Sequence, residues 1–217
     1  MNLKKVKCVI VDFDATLYSN GDWSKEPAFF GKYLVDRNLL PELPDAESKL
    51  EFLRNKYPGY HIIKFIFAYL HDNGIDDSDF RKFNNEHICE IRGEDTVFIR
   101  PEIILETSKC YPIYIVSDSA VPYLEFYLKH AGIDKNLFSG IYDNTYDDET
   151  YSKIPIMKRV LEESGVKPNE IIMIGDSLKS DIQPAKLLGF QTLHVKTVQE
   201  TEKILQDLVN VKASKQI

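Results

Sequence analysis

An α/β protein built on a doubly wound parallel sheet, with a helical domain inserted near its start, is what three features of this 217-residue sequence predict. Short β-branched apolar runs recur along the chain, each run opens into small or acidic residues, and helical patterns lie between the runs. A strand covered on both faces reads as a continuous apolar run, whereas a strand solvated on one face alternates. Val6 to Val11 is the first such run. Ile113 to Val116, Ile171 to Ile174 and Thr192 to Val195 follow, with Phe138 to Tyr142 a weaker fifth. Helical spacing occurs at Tyr123 to His130, Ile154 to Ser164 and Ile182 to Leu188, stopped in turn by Gly132, Gly165 and Gly189. Strands alternating with helices in this way give a Rossmann-like core.

About 80 residues between Tyr18 and Arg100 break the rhythm, holding helical patterns and no convincing strand. Pro27 suits a first helical turn, and Phe29, Phe30, Tyr33 and Leu34 then recur at helix spacing. Leu50, Leu53 and Tyr57 mark a second helix, Ile62 to Leu70 a third, and Phe80, Phe83, Ile88 and Ile91 a fourth. Pro58-Gly59 and Asn73-Gly74 punctuate them. Four amphipathic helices bury their stripes against one another, so residues 19–100 are expected to form a small bundle, and residues 1–18 with 101–217 the α/β core. Aromatic residues at helical spacing, such as Phe65, Phe67 and Tyr69, read as core. Lys212 to Ile217 reads as a fraying tail.

Composition narrows the functional classes. With 43% hydrophobic and 28% charged residues, disorder and coiled coil drop out. A formal charge of -7 makes a surface that tracks phosphate backbones hard to build, so no nucleic-acid partner is expected. Cys8, Cys89 and Cys110 are scattered with no CxxC pair, which implies neither a disulfide framework nor a cysteine zinc site. The apolar stretch after the basic MNLKK is only Cys8 to Val11, too short for a signal peptide. No uncharged apolar run approaches the roughly 18 residues of a membrane span. The chain therefore reads as cytoplasmic, with no membrane partner.

Chemistry concentrates where the apolar runs end. Asp12-Phe13-Asp14-Ala15-Thr16-Leu17 follows the first run directly. Residues two apart in extended backbone point to the same side, so both carboxylates can face one crevice at the edge where open α/β sheets bind ligands. Taken alone, turn and capping roles explain these two aspartates equally well. After the second run, Ser117-Asp118-Ser119 brings a hydroxyl and backbone amides to the same edge, and Ser119 reads as an ordinary helix N-cap. Gly175-Asp176-Ser177 follows a later run, with Asp181 five residues beyond Asp176. Lys153 opens a helix, a placement that opposes the macrodipole. Were Asp12, Asp14 and Asp176 to converge, each like-charged pair at about 4 Å would cost on the order of 4 kcal/mol at an effective dielectric near 20. A divalent cation together with Lys153 removes that cost. Oxygen-only ligands with no nearby histidine or cysteine select a hard ion, so Mg2+ is the expected cofactor.

This series of motifs resembles that of the haloacid dehalogenase superfamily, the aspartyl-phosphate hydrolases. Asp12-Phe13-Asp14-Ala15-Thr16 matches the first motif, Ser117 the second, Lys153 the third, and Gly175-Asp176 through Asp181 the fourth. The resemblance spans nearly the whole chain and makes the helical insert a cap domain. It implies a magnesium-dependent phosphatase acting on a small phosphomonoester, with Asp12 as nucleophile and Asp14 as acid and then base. The metal would be held by the Asp12 and Asp176 carboxylates and the Asp14 carbonyl. Ser117 and Lys153 would serve the phosphate, with Phe13, Asp14 and Asp118 also at the phosphate or substrate. Thr16 and Asp181 would stand behind them, Asp181 orienting Lys153 or a metal-bound water. Three positions depart from the pattern. Ala15 replaces a frequent glycine and is expected to be tolerated, Asp118 stands where asparagine is common, and Ile154 separates Lys153 from Pro155, leaving Lys158 as a rival. Trp23, Arg54, Lys56, Tyr60 and His61 are candidates to line the cap side by type and by position near turns. Nucleoside monophosphates, phosphoglycolate and sugar phosphates all remain open as substrates.

Three other readings compete. A phosphomutase acting on a sugar phosphate would use the same residues. A receiver-like signalling domain shares the acidic pair, hydroxyl and lysine but lacks such a helical insert. Gly175-Asp176-Ser177-Leu178 also spells a GDSL esterase block, yet Gln191 stands three before His194 where that family carries aspartate.

Overall fold

All four residues of β1 (Cys8–Val11) are buried, as an unbroken CVIV run in a doubly covered strand requires. The structure, a computed structural model, describes residues 2–19, 25–60, 62–91, 97–143 and 152–214. Two compact units emerge, Met1–Ser19 with Thr96–Ile217, and Asn20–Asp95. From β1 the chain enters a tight turn in which the Phe13 carbonyl accepts from the N–H groups of Thr16, Leu17 and Tyr18 at 3.2, 2.8 and 3.1 Å. Ala15 sits in this turn at φ +56°. The turn delivers β2 (Tyr18–Ser19).

The second unit is helical. It contains α1 (Glu26–Asp36), α2 (Ala46–Lys56), α3 (Ile62–Asp72) and α4 (Ser78–Ile91). Pro27 occupies the first turn of α1, and the Asp45 carboxylate caps α2 by accepting from the Ser48 N–H at 2.8 Å. Phe30, Leu34, Leu53, Ile66, Leu70 and Phe80 form its fully buried centre. α1 and α2 approach so closely that a Cβ on Gly31 would stand 2.8 Å from that of Ala46. Phe65 and Phe67 are core, and Tyr69 is partly buried. Of the residues proposed to line a cap, Arg54 and Lys56 are exposed and Tyr60 is half-buried, while Trp23 and His61 lie outside the described residues.

Returning to the first unit, β3 (Val97–Phe98) pairs antiparallel with β2, Tyr18 opposite Phe98 and Ser19 opposite Val97. The stretch from which sequence expects no strand thus carries two-residue strands at its ends. The remaining elements are α5 (Pro101–Cys110), β4 (Ile113–Ser117), α6 (Val121–His130), β5 (Gly140–Asp143), α7 (Ile154–Ser164), β6 (Ile171–Gly175), α8 (Gln183–Leu187), β7 (Gln191–His194) and α9 (Val198–Ala213). The five long strands pair in parallel in the order β5-β4-β1-β6-β7. On one face Cys8, Ile10, Tyr114, Val116, Ile171 and Met173 pack against Met157 and Val160 of α7 and Ala185 of α8. The alternate residues Val9, Val11, Ile113, Ile115, Ile172 and Ile174 are equally buried, so both faces are covered.

Three sequence expectations need correction. A π-helical turn over Leu178–Ile182 precedes α8, so the chain starts to coil four residues before Ile182. α5 and α9 were not foreseen, and they are joined by the Tyr111 hydroxyl donating to the Leu208 carbonyl at 2.9 Å. Lys212 and Ala213 complete α9 instead of fraying. Among the described residues no helix is long and apolar enough to cross a membrane.

Candidate active site

Strand order reverses at β1, which lies between β4 and β6, and this brings the carboxyl ends of three strands together. The Asp12 N–H donates to the Ile174 carbonyl at 2.9 Å and so extends the pairing with β6 one residue past β1. Asp12 is consequently fixed at the rim and almost fully buried, at 4% exposure. Its Oδ1 accepts from Lys153 Nζ at 2.7 Å and its Oδ2 from Thr16 Oγ1 at 3.3 Å. Lys153 Nζ also donates to Asp181 Oδ1 at 2.6 Å, and Asp181 Oδ2 accepts from the Ser177 N–H at 2.9 Å. Asp12, Asp176 and Asp181 each offer a carboxylate oxygen, all within 4.8 Å of one another.

Local sequence explains how these groups meet. Lys153 is the N-cap residue of α7 and makes no side-chain cap. A cation there opposes the helix dipole, yet the side chain is 2% exposed because two carboxylates hold it. Lys158, its rival, is exposed on α7. Asp181 reaches the site through the π-helical turn, and Gly175 makes room for it. A Cβ on Gly175 would stand 2.3 Å from Asp181 Oδ2. His194, at the end of β7, places Nε2 2.7 Å from the Asp176 carbonyl. A carbonyl only accepts, so that nitrogen carries its proton.

Charge in the site is unbalanced. Burial pushes the Asp12 carboxyl well above the usual range, against the pull of Lys153, with Asp181, Asp176 and Asp14 adding repulsion. Burial and then the Asp181 charge push Asp176 up to about 6. Burial opposes a charge on Lys153, but Asp12, Asp181 and Asp118 outweigh it and hold the ammonium protonated. With all three carboxylates ionised, one lysine among them leaves two negative charges, and burial together with this repulsion raises Asp12 and Asp176. A divalent cation would neutralise them, and an all-oxygen donor set fits magnesium.

Asp14 stands apart from this cluster. Its Oδ2 accepts from Ser119 Oγ at 2.6 Å and its Oδ1 from the Tyr123 hydroxyl at 2.9 Å. Ser119 is therefore not the N-cap of α6 that sequence suggests. Ala120 holds that position, and the Asp143 carboxylate accepts from the Val121 N–H at 3.1 Å instead. Ser117 is buried, with Oγ accepting from the Ser119 N–H at 3.0 Å, and Asp118 is half-buried. The Phe13 ring is buried, stacked on Tyr18 at 5.7 Å and edge-on to Tyr123 at 6.0 Å. Sequence reasoning missed Tyr123 and His194. Helical spacing marks Tyr123 only as core, and nothing local marks His194.

Residues 6–189 match the family model of haloacid dehalogenase-like hydrolases. No curated protein matches the chain significantly. Among solved structures the chain is similar to a HAD phosphatase from Thermococcus onnurineus, with 19% identity and a TM-score of 0.61 over 92% of this chain and 98% of that one. A protein described as a predicted phosphoglycolate phosphatase from Haemophilus somnus gives 17% and 0.59 over 94% and 98%. The HAD-hydrolase YfnB from Bacillus subtilis, bound to magnesium, gives 17% and 0.56 over 93% and 99%.

Proposed function

The chain belongs to the haloacid dehalogenase-like hydrolases, an enzyme family, and on that premise we propose that it is a magnesium-dependent phosphatase of small phosphomonoesters working through an aspartyl-phosphate. One observation carries the reading. A buried Lys153 is shared by Asp12 and Asp181 beside Asp176, at the rim where β1, β4 and β6 end. An acidic cluster serving only as turns and caps has no need of such a buried cation.

In the first half-reaction a carboxylate oxygen of Asp12 bonds to phosphorus as the bond to the leaving oxygen breaks, and that oxygen takes the proton carried by Asp14. In the second, water attacks the phosphorus, gives its proton to Asp14, and frees inorganic phosphate and the Asp12 carboxylate. Asp12, Asp176 and the Asp14 carbonyl would hold magnesium, which when bound neutralises charge on the phosphoryl oxygens. Lys153 and the Ser117 hydroxyl supply donors to those oxygens, while Phe13 and Asp118 line the phosphate's side. Both oxygens of Asp181 are engaged, by Lys153 and by the Ser177 N–H, which supports a role in orienting Lys153. The helical unit is assigned the cap's role of choosing the leaving group.

The test is phosphate release over a panel of nucleoside monophosphates, phosphoglycolate and sugar phosphates, with and without magnesium. Turnover should need the metal and vanish in Asp12→Asn. Wild-type rates in that variant would end the proposal, and isomerised sugar phosphate without phosphate release would make the enzyme a mutase.

A further inference from the structure

Asp14 has to carry a proton in one half-reaction and lack it in the next, while staying in one place. An aspartate just beyond a strand end has two side-chain torsions to fix, and a misplacement of an ångström in such a group is costly. Here the Ser119 hydroxyl takes one carboxylate oxygen and the Tyr123 hydroxyl the other, at 2.6 and 2.9 Å. Both donors belong to one short segment, Ser119 just before α6 and Tyr123 in its first turn.

Tyr123 is itself immobilised. Its residue is 3% exposed, and its ring packs edge-on against Phe13 at 6.0 Å and against Tyr127 at 4.8 Å. Tyr127 in turn lies 4.5 Å from Tyr18. A phenylalanine would fill this apolar space equally well, and a buried phenol is costly without a partner for its hydroxyl. Hydroxyls also suit a group that alternates between acid and base. Toward the carboxylate both donate. Once Asp14 is protonated, one hydroxyl turns its lone pair to accept while the other still donates. An N–H donor could not reverse in this way.

We propose that Tyr123, with Ser119, is a positioning residue that holds the Asp14 carboxyl where the leaving oxygen is protonated. The inference rests on the phosphatase reading. It is tested with para-nitrophenyl phosphate and phenyl phosphate, the same ring with a poorer leaving group that depends more on protonation. The measured quantity is kcat/KM, which reports the step in which the leaving group departs. In Tyr123→Phe, kcat/KM for phenyl phosphate should fall by about tenfold or more and that for para-nitrophenyl phosphate by less than about threefold. Ser119→Ala, at a half-buried position, should show the same direction with a smaller loss and serves if Tyr123→Phe fails to fold. Equal losses on both substrates, or no loss on either, would overturn the assignment. Asp12→Asn separates the two questions, because retained turnover in that variant sinks the phosphatase reading itself, whereas a dead Asp12→Asn beside an unselective Tyr123→Phe removes only the role of Tyr123.

Discussion

Ala15 stands in the left-handed region at φ +56°, where an L-residue with a Cβ is strained by about 1–2 kcal/mol. The turn needs that conformation because the Phe13 carbonyl takes three N–H groups from the residues around it. Glycine relieves the strain but loses about 0.5–1 kcal/mol through its freer unfolded state. Ala15→Gly should therefore stabilise the protein by about 0.5–1 kcal/mol, read from the urea midpoint, and an unchanged or lower midpoint would contradict it. Sequence alone anticipates tolerance here, and the backbone shows a residual strain. Gly175 is the opposite case, since a methyl group there meets Asp181 Oδ2 at 2.3 Å. Gly175→Ala should displace Asp181, loosen Lys153 and lower turnover by about tenfold or more at saturating substrate. Wild-type kcat in that variant would show that Asp181 has no part in placing the lysine. Asp12, Asp14, Lys153 and Asp176 were legible because each adjoins a strand or helix end that local pattern marks. Tyr123 and His194 were not, since their partners lie 109 and 18 residues away and only the packed sheet supplies them.

At the scale of elements, the strands were legible where burial on both faces makes the apolar run continuous, as in β1, β4 and β6. α5 and α9 escaped because each apolar stripe contains a buried threonine, Thr107 and Thr201, which blurs the period. The Thr107 hydroxyl settles its own burial by donating to the Ile103 carbonyl at 2.7 Å. β2 and β3, two residues each, are too short to show any period. α7 is the element on which the site depends most, because its N-cap residue, Lys153, is the buried cation. Lys153→Met keeps much of the volume and removes the charge, leaving Asp12 and Asp181 facing each other without a cation. Breaking a buried pair in this way costs about 3–5 kcal/mol. That loss should appear in urea unfolding, and a variant within about 1 kcal/mol of wild type would mean that Lys153 is not needed to hold the carboxylates together.

At the scale of the whole molecule, a chain of formal charge -7 concentrates part of its negative charge in one buried cluster. The parallel sheet and the helical insert could both be read from pattern, but how buried the cluster becomes could not, because that depends on strands and helices distant in sequence. With the proposed metal at this cluster, stability should depend jointly on pH and metal. Asp176 titrates at about 6 in the folded protein against an ordinary value of 3.8, so the folded state binds this proton more tightly than the unfolded chain does. Its contribution to metal-free stability is full below about pH 4 and is lost as pH rises through about 6. Magnesium held at the proposed site would compete for the same carboxylate, and its binding should weaken as pH falls below about 6. Magnesium at about 100 times its dissociation constant should stabilise the protein by about 2.7 kcal/mol, raising Tm at pH 7.5 by about 5 °C or more. The same addition at pH 5 should give a smaller rise, and Asp176→Asn should largely remove it at pH 7.5. Equal shifts at both pH values would mean that the ion does not meet the proton at this carboxylate, and a full shift in Asp176→Asn would place its binding elsewhere.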